Sequence, residues 1–266
     1  MITGASDGIG AELARQWARQ FGAKAALVLA ARNEALLHQV ASQCRESGAF
    51  TQVVATDVSD PVQCRQLISL AGAEWGRIDM LVNNAGISAQ ALFEDVQPDD
   101  LGWYEQLMRI NFWGSVWTTH AALPWLKQSR GRLVAVSSLA GLIGVPGRTA
   151  YSASKFAMTG FFEALRAELR TPGVSVTTAF PGVVATRIRH HGLNAAGQPA
   201  GSSGLREDDA MSVETCARLI AQGALRRDRE VVMTAKGRLG RWLKLLAPAR
   251  VEAMALAALK DDVKPR

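Results

Sequence analysis

Six short apolar runs, spaced by longer stretches of helical periodicity, restrict the folds open to this chain more tightly than any single residue does. The runs are "AALVLAA" (25–31), "TQVVAT" (51–56), "DMLVNN" (79–84), "RLVAVSS" (132–138), "VSVTTAF" (174–180) and "EVVMT" (230–234). Between them, Ile9, Leu13, Trp17 and Phe21 recur on one helical stripe, and Leu36, Leu37, Val40 and Cys44 on another. Crossovers of this length deliver each strand in the direction of the last, so the pattern predicts parallel pairing. Runs that are apolar throughout, without alternation, belong to strands covered by helices on both faces. The expected fold class is α/β: a doubly wound parallel sheet flanked by helices, with ligands bound beyond the carboxyl ends of its strands.

At 266 residues, 48% hydrophobic and 20% charged, the chain suits a single domain spanning 1–266. It has no apolar stretch of membrane-spanning length and no signal-peptide pattern at its N-terminus, so the default location is the cytoplasm. Cys44, Cys64 and Cys216 lack disulfide or metal-ligand spacing, and His38, His120, His190 and His191 form no ligand pattern, so no metal is expected. Of 30 Lys/Arg and 24 Asp/Glu, residues 226–266 hold 11 and 5, which leaves 19 of each elsewhere. The positive surplus is therefore C-terminal, which argues against a broad nucleic-acid face and suggests a local anionic partner or a solvated tail.

"TGASDGIG" (3–10) places Gly4, Gly8 and Gly10 ahead of the first helical stripe. The glycines permit a tight turn, and the helix would offer free N–H groups to a pyrophosphate; an ordinary turn would use the same residues. Only Met1 and Ile2 precede the loop, so the first strand is expected to be truncated, through a late start or a trimmed terminus. A version extended by roughly five to eight apolar-rich residues is expected to be the more stable. The next apolar run ends "LAARN", where an acidic residue would bind a ribose 2′-hydroxyl and a cation a 2′-phosphate. Arg32 favours NADP(H) over NAD(H); the negative charge of Asp7 inside the glycine loop counts against it.

In "YSASK" (151–155), Tyr151 and Lys155 lie one helical turn apart on one face. A free phenol titrates near pH ~10, so it serves at neutrality only when a nearby cation stabilises the phenolate, as Lys155 could. Ser138, thirteen residues before Tyr151, is expected to end the fifth strand and bring a hydroxyl beside the phenol, with Ser137 pointing to the opposite side.

"TGASDGIG", "NNAG" (83–86), Asn111 in "RINFWG", Ser138, "YSASK" and "PG" (181–182) together resemble the classical short-chain dehydrogenases/reductases in order and approximate spacing, over residues 1 to about 235. The extended branch of that superfamily matches less well in its glycine spacing and chain length. The resemblance implies a Rossmann-type NAD(P)-binding fold and hydride transfer between the cofactor and an alcohol or carbonyl carbon. It implies Tyr151 as proton donor or acceptor, Lys155 as the residue that lowers its pKa and holds the nicotinamide ribose, Ser138 as the group polarising the substrate oxygen, and Asn111 as the holder of a relay water. It places Ser6, Asp7, Ile9 and the three glycines around the pyrophosphate, and Asp57 and Val58 at the adenine. Asn84, Ala85 and Gly86 would line the cofactor, and Pro181, Gly182, Val184 and Thr186 its nicotinamide side. A homodimer or homotetramer suits the family. A cofactor-binding regulator without turnover, or an enzyme impaired by its short first strand, are the rival readings.

The expected pocket borders are 87–96, 139–147 and 183–211, in which Leu92, Phe93, Leu139, Leu142, Ile143 and Val145 favour a hydrophobic alcohol or ketone; core packing would use the same residues. The Gly/Ser/Pro-rich stretch 192–204 reads as part of a lid over 183–212, or as an inert surface loop. Residues 237–266 form a basic amphipathic segment broken near Pro248, with Leu239, Trp242, Leu243 and Leu246 on one apolar stripe. Its stretch 237–260 could cover the pocket, meet a second subunit, or lie peripherally on the inner face of an anionic membrane.

Overall fold

The computed structural model describes residues 1–203 and 210–259. Seven strands form one parallel sheet: β1 (Ile2–Thr3), β2 (Ala26–Ala31), β3 (Phe50–Ala55), β4 (Met80–Asn83), β5 (Arg132–Val136), β6 (Ser175–Phe180) and β7 (Glu230–Val232). Their order is β3-β2-β1-β4-β5-β6-β7, so the chain reverses its winding direction at the junction of β1 and β4, where ligands of such sheets bind. Successive residues feed two separate cores. On β2, Leu27 and Leu29 enter one cluster with Leu13, Trp17, Leu37 and Ile220, while Val28 and Ala30 enter another with Leu67, Leu126, Met158 and Phe162. This two-sided burial is why the runs read as continuously apolar.

The first core packs α1 (Gly8–Phe21), α2 (Glu34–Glu46) and α7 (Val213–Arg226) on the sheet. The second packs α3 (Pro61–Trp75), α5 (Gly114–Ser129) and α6 (Thr149–Glu168) on the other face. The short α4 (Gly102–Leu107) precedes α5, and α8 (Ala235–Leu246) and α9 (Pro248–Ala257) follow β7. Polar caps set the helix starts: Asp7 accepts from Gly8 N, Asn33 from Leu36 N, Asp60 from Val62 N ahead of Pro61, and Ser212 from Thr215 N.

β1 is only two residues long, yet it is central, pairing with both β2 and β4. The Met1 ammonium donates to Met80 O at 2.9 Å, and Val82 N donates to Met1 O at 3.0 Å. One expectation needs correction. β5 ends at Val136, and Ser138 caps a following 3-10 turn (Leu139–Gly141) instead of closing the strand. On α8, Leu239, Trp242 and Leu246 of the expected stripe are 63 to 86% exposed, with Leu245 beside them at 73%, while Leu243 is half-buried. The opposite, glycine-bearing side of α8 packs, because Gly237 and Gly240 let the helix axis approach Leu139 and Ile143.

Candidate active site

Four segments meet at the carboxyl ends of β1, β4, β5 and β6. The glycine loop turns at Gly4 and Gly8, both at positive φ of 66° and 54°. A Cβ on Gly10 would lie 2.3 Å from Gly4 O, and one on Gly4 would lie 2.8 Å from Ala85 Cα. The loop therefore needs its glycines to fold this tightly against the segment after β4, leaving the start of α1 open as an anion cradle of the kind a dinucleotide pyrophosphate fits. Asn84 Nδ2 donates to Thr3 O and Gly4 O at 3.0 and 3.1 Å, and Thr3 Oγ1 accepts from Asn84 N and Ala85 N. Asn84 thus braces the loop with its side chain. Ser6 and Ile9 are half-buried along it, and Thr186, after β6, packs over Gly8.

Asp7 shares its carboxylate between the Gly8 N–H and the Arg187 guanidinium, so its charge is compensated locally. Arg32 stands exposed just past β2 and makes no hydrogen bond or ion pair among the described residues. Beyond β3, Asp57 Oδ1 accepts from Ser59 N at 2.9 Å and its backbone N–H is held by Gln63, while Val58 is buried against Gly114. These positions follow the carboxyl ends of β2 and β3, on the same edge of the sheet as the glycine loop.

Asn111 lies in a π-helical turn (Met108–Trp113) between α4 and α5, a wide turn of the kind that recurs at functional sites. Fully buried, it accepts from Ile87 N at 2.8 Å and donates to Ile87 O and Ser154 Oγ at 3.0 and 2.9 Å. A Cβ on Gly86 would stand 3.0 Å from Asn111 Oδ1 and 3.7 Å from Lys155 Nζ, so that glycine lies against both. Lys155 Nζ is buried and donates to Val136 O at 3.0 Å. Burial pushes its ammonium below the usual lysine range, Tyr151 draws it back up, and Arg148 adds to the depression. The same Nζ is 5.8 Å from the centroid of the Tyr151 ring.

Tyr151 packs with Ala89, Trp103, Leu107 and Ala140, an apolar surround that excludes water from the ring. Ser138 Oγ accepts from Ala140 N at 3.1 Å, and Ser137 turns the other way, donating to Lys155 O. Leu139 N donates to Pro181 O at 2.9 Å, which ties the turn bearing Ser138 to the Pro181–Gly182 segment; Val184 follows, buried and bridged to Met211. The segment after β6 is stitched to the one after β4 through Leu193 N to Ser88 O and Gln90 N to Leu193 O. Of the lid expected over 183–212, residues 204–209 lie outside the described residues, as do 260–266 of the C-terminal segment.

The structure thus gathers Asn111, Lys155 and Gly86 around one point, and Tyr151 and Ser138 on the adjoining turn of α6 and the turn after β5. Sequence reasoning missed Thr3, Ser88, Arg148, Ser154 and Arg187. Only Thr3 carried a local signal, as the residue before the first glycine. The others act on partners 43 to 180 positions away.

The short chain dehydrogenase family model matches residues 1–195. A protein of Sesamum indicum named 11-beta-hydroxysteroid dehydrogenase A is 38% identical over 258 residues, 95% of this chain and 72% of that one. The dehydrogenase/reductase SDR family protein 7-like of Dictyostelium discoideum is 33% identical over 269 residues, 99% of this chain and 82% of that one. An alcohol dehydrogenase from the archaeon Thermococcus sibiricus, solved in complex with 5-hydroxy-NADP, shares the fold with a TM-score of 0.71 at 24% identity, over 87% of this chain and 92% of that one. The chain belongs to the short-chain dehydrogenase/reductase family, NAD(P)-dependent oxidoreductases that interconvert alcohols with ketones or aldehydes.

Proposed function

We propose that this oxidoreductase acts on a hydrophobic carbonyl or alcohol, steroid-like, retinoid-like or a long-chain acyl derivative, with NADP(H) favoured over NAD(H) and Tyr151 as its acid/base. The observation that carries the reading is a buried ammonium, Lys155, one helical turn from a phenol that is itself 8% exposed in an apolar surround. A buried cation favours the phenolate, which is what a proton-transferring tyrosine needs near neutrality.

Gly4, Ser6, Gly8, Ile9 and Gly10 would hold a dinucleotide pyrophosphate at the start of α1, Asp57 and Val58 the adenine, and Arg32 the 2′-phosphate. Asp7 would cap the cradle, Ala85 and Gly86 would wall it, and Pro181, Gly182, Val184 and Thr186 would bound the nicotinamide end. The chemistry that cofactor brings when bound is hydride transfer. In reduction, Ser138 Oγ donates to the substrate carbonyl oxygen and Tyr151 delivers the proton to it. Lys155 keeps the resulting phenolate stable, and Asn111, beside Gly86, would hold the water that returns a proton toward its ammonium.

The apolar substrate class rests on Leu92, Leu139, Leu142, Ile143 and Val145, half-buried around the mouth, with Phe93 61% exposed at its rim. The hydroxysteroid dehydrogenase name carried by several relatives favours the same class. For the exposed stripe of α8 we assign a contact outside the chain: a second copy, giving a homodimer or homotetramer, or an anionic membrane surface drawn by Arg238 and Arg250. No helix among the described residues is long and apolar enough to cross a membrane. Sedimentation and flotation with anionic liposomes at low salt separate the two contacts.

A panel of carbonyls and alcohols with both cofactors tests the reading, with Tyr151→Phe beside the wild type. The variant should lose about 10²-fold or more in kcat while still binding cofactor. Equal turnover overturns the acid/base assignment.

A further inference from the structure

Arg148 sits at the start of α6, three residues ahead of Tyr151, and is 8% exposed. Its guanidinium carbon stands 4.3 Å from the centroid of the Tyr151 ring. Nε donates to Ala89 O at 3.3 Å, and Nη2 donates to Ser88 Oγ. Among the described residues no carboxylate forms an ion pair with it. A buried cation without a counter-ion is costly, and neutral hydrogen bonds recover only part of that cost.

Among the described residues, the charges around the ring share one sign. On α6, Lys155 Nζ also stands 5.8 Å from the ring centroid, and its ammonium is depressed by burial and further by Arg148. Burial pushes the Arg148 guanidinium below its usual range, Tyr151 supports its charge, and Arg189 of the segment after β6 opposes it. The segment after β4, α4 and the turn after β5 contribute Ala89, Trp103, Leu107 and Ala140 to the packing, none of which titrates. Tyr104, also packed there, is engaged with Thr149 Oγ1. Among the described residues, the one group in contact with both cations that can become an anion is Tyr151 itself.

We propose that Arg148 is a positioning residue whose buried guanidinium, stacked on the Tyr151 ring, takes the Tyr151 phenolate as its counter-charge and fixes that ring against Ser88 and Ala89. The inference rests on the acid/base reading of Tyr151 and extends it from one cation to two. Loss of the phenol proton, to solvent or to a substrate oxygen, leaves the electron pair on the phenolate and completes a cation–anion–cation array. A cation on the ring face gains attraction as negative charge spreads into the ring, so Arg148 favours the phenolate over the phenol. The same side chain holds the ring in register with the substrate side, because Ser88 and Ala89 also carry the contacts to Leu193.

The chain has two tyrosines, so carbon-13 NMR of ζ-labelled tyrosine follows Tyr151 in the cofactor-free protein, with Tyr104→Phe identifying its signal. Arg148→Met keeps length and removes charge; its Tyr151 midpoint should rise by about one pH unit over wild type, and Arg148→Lys should recover part of the shift. The alkaline-rising limb of the kcat profile in the alcohol-oxidising direction should move by the same amount. A folded Arg148→Met protein with an unmoved midpoint overturns the proposal and leaves Arg148 a packing residue. Should that variant not fold, Arg148→Gln decides: its Tyr151 midpoint should rise over wild type likewise, and an unmoved midpoint overturns the proposal. Normal turnover by Tyr151→Phe would instead remove the acid/base reading, a result the NMR titration neither needs nor mimics.

Discussion

Arg187 reaches back 180 residues to the glycine loop, where its Nε and Nη2 lie 3.0 and 2.9 Å from one Asp7 oxygen. The other oxygen caps α1 at 2.8 Å from Gly8 N, so one carboxylate fastens the segment after β6 to the cradle of the first helix. The two side chains are 63 and 50% exposed, and pairs of that kind are weak and screened by salt. Arg187→Gln should therefore raise the cofactor Kd less than about fivefold at low salt and leave it unchanged at high salt. Fluorescence titration at two ionic strengths checks this; a large loss that persists in high salt would make Arg187 a direct cofactor ligand.

Two glycine-to-alanine changes should have opposite outcomes. At Gly10 the new methyl meets Gly4 O at 2.3 Å and Asn84 Nδ2 at 2.6 Å, so the loop must open and cofactor binding should fall at least about 100-fold. At Gly160, inside α6, nothing lies within 4 Å of the new methyl. Gly160→Ala should raise Tm by about 2–4 °C through helix propensity alone. Thermal melts and cofactor titrations of both variants decide; a Gly10→Ala protein with wild-type affinity would contradict the packing described for the cradle.

What the sequence made legible follows from the distance over which each force acts. Leu27, Val28, Leu29 and Ala30 are buried from both sides, and that leaves a contiguous apolar run any reader can find. The run through Ser138 overshoots because periodicity detects extended backbone, not ladder pairing. Ser137 N still donates to Ala179 O, and Ser138 stays extended at φ −166° before the turn begins. Arg148 and Arg187 were invisible because their partners are 60 and 180 positions away, and no local pattern encodes such a pair. α8 shows the complementary limit: its apolar stripe was plain, but the face that docks is set by the flatness of Gly237 and Gly240.

In a polypeptide that begins at Met1 with a free amine, that buried ammonium makes stability depend on pH. Burial lowers its pKa from 8.0 to about 6, partly opposed by Asp79. The unfolded chain therefore binds the proton first as pH falls, so stability is greatest above pH 8, declines toward pH 6, and is flat in this respect below it. Two units correspond to about 3 kcal/mol. Urea unfolding at the two ends of that window should show the loss in the free-amine chain and not in an N-acetylated one; parallel curves would mean that the amine is solvated in solution.

The proposed preference for NADP(H) rests on Arg32. It stands exposed one residue beyond β2, makes no contact among the described residues that would neutralise it, and the carboxylate that could oppose it, Asp7, is taken up by Arg187 and Gly8. A guanidinium so placed gains charge-assisted hydrogen bonds from a 2′-phosphate and little from a 2′-hydroxyl. Arg32→Asp replaces attraction by repulsion for the phosphate and offers the hydroxyl an acceptor. The ratio of kcat/KM for NADP(H) over NAD(H) should exceed one in the wild type and fall by about 100-fold or more in the variant, most of it through the KM for NADP(H). Initial rates with both cofactors at one fixed substrate concentration measure the ratio. If it stays put in the variant, the 2′-phosphate contact belongs to another side chain of the crevice, and Arg32 is a solvated charge at the end of a strand.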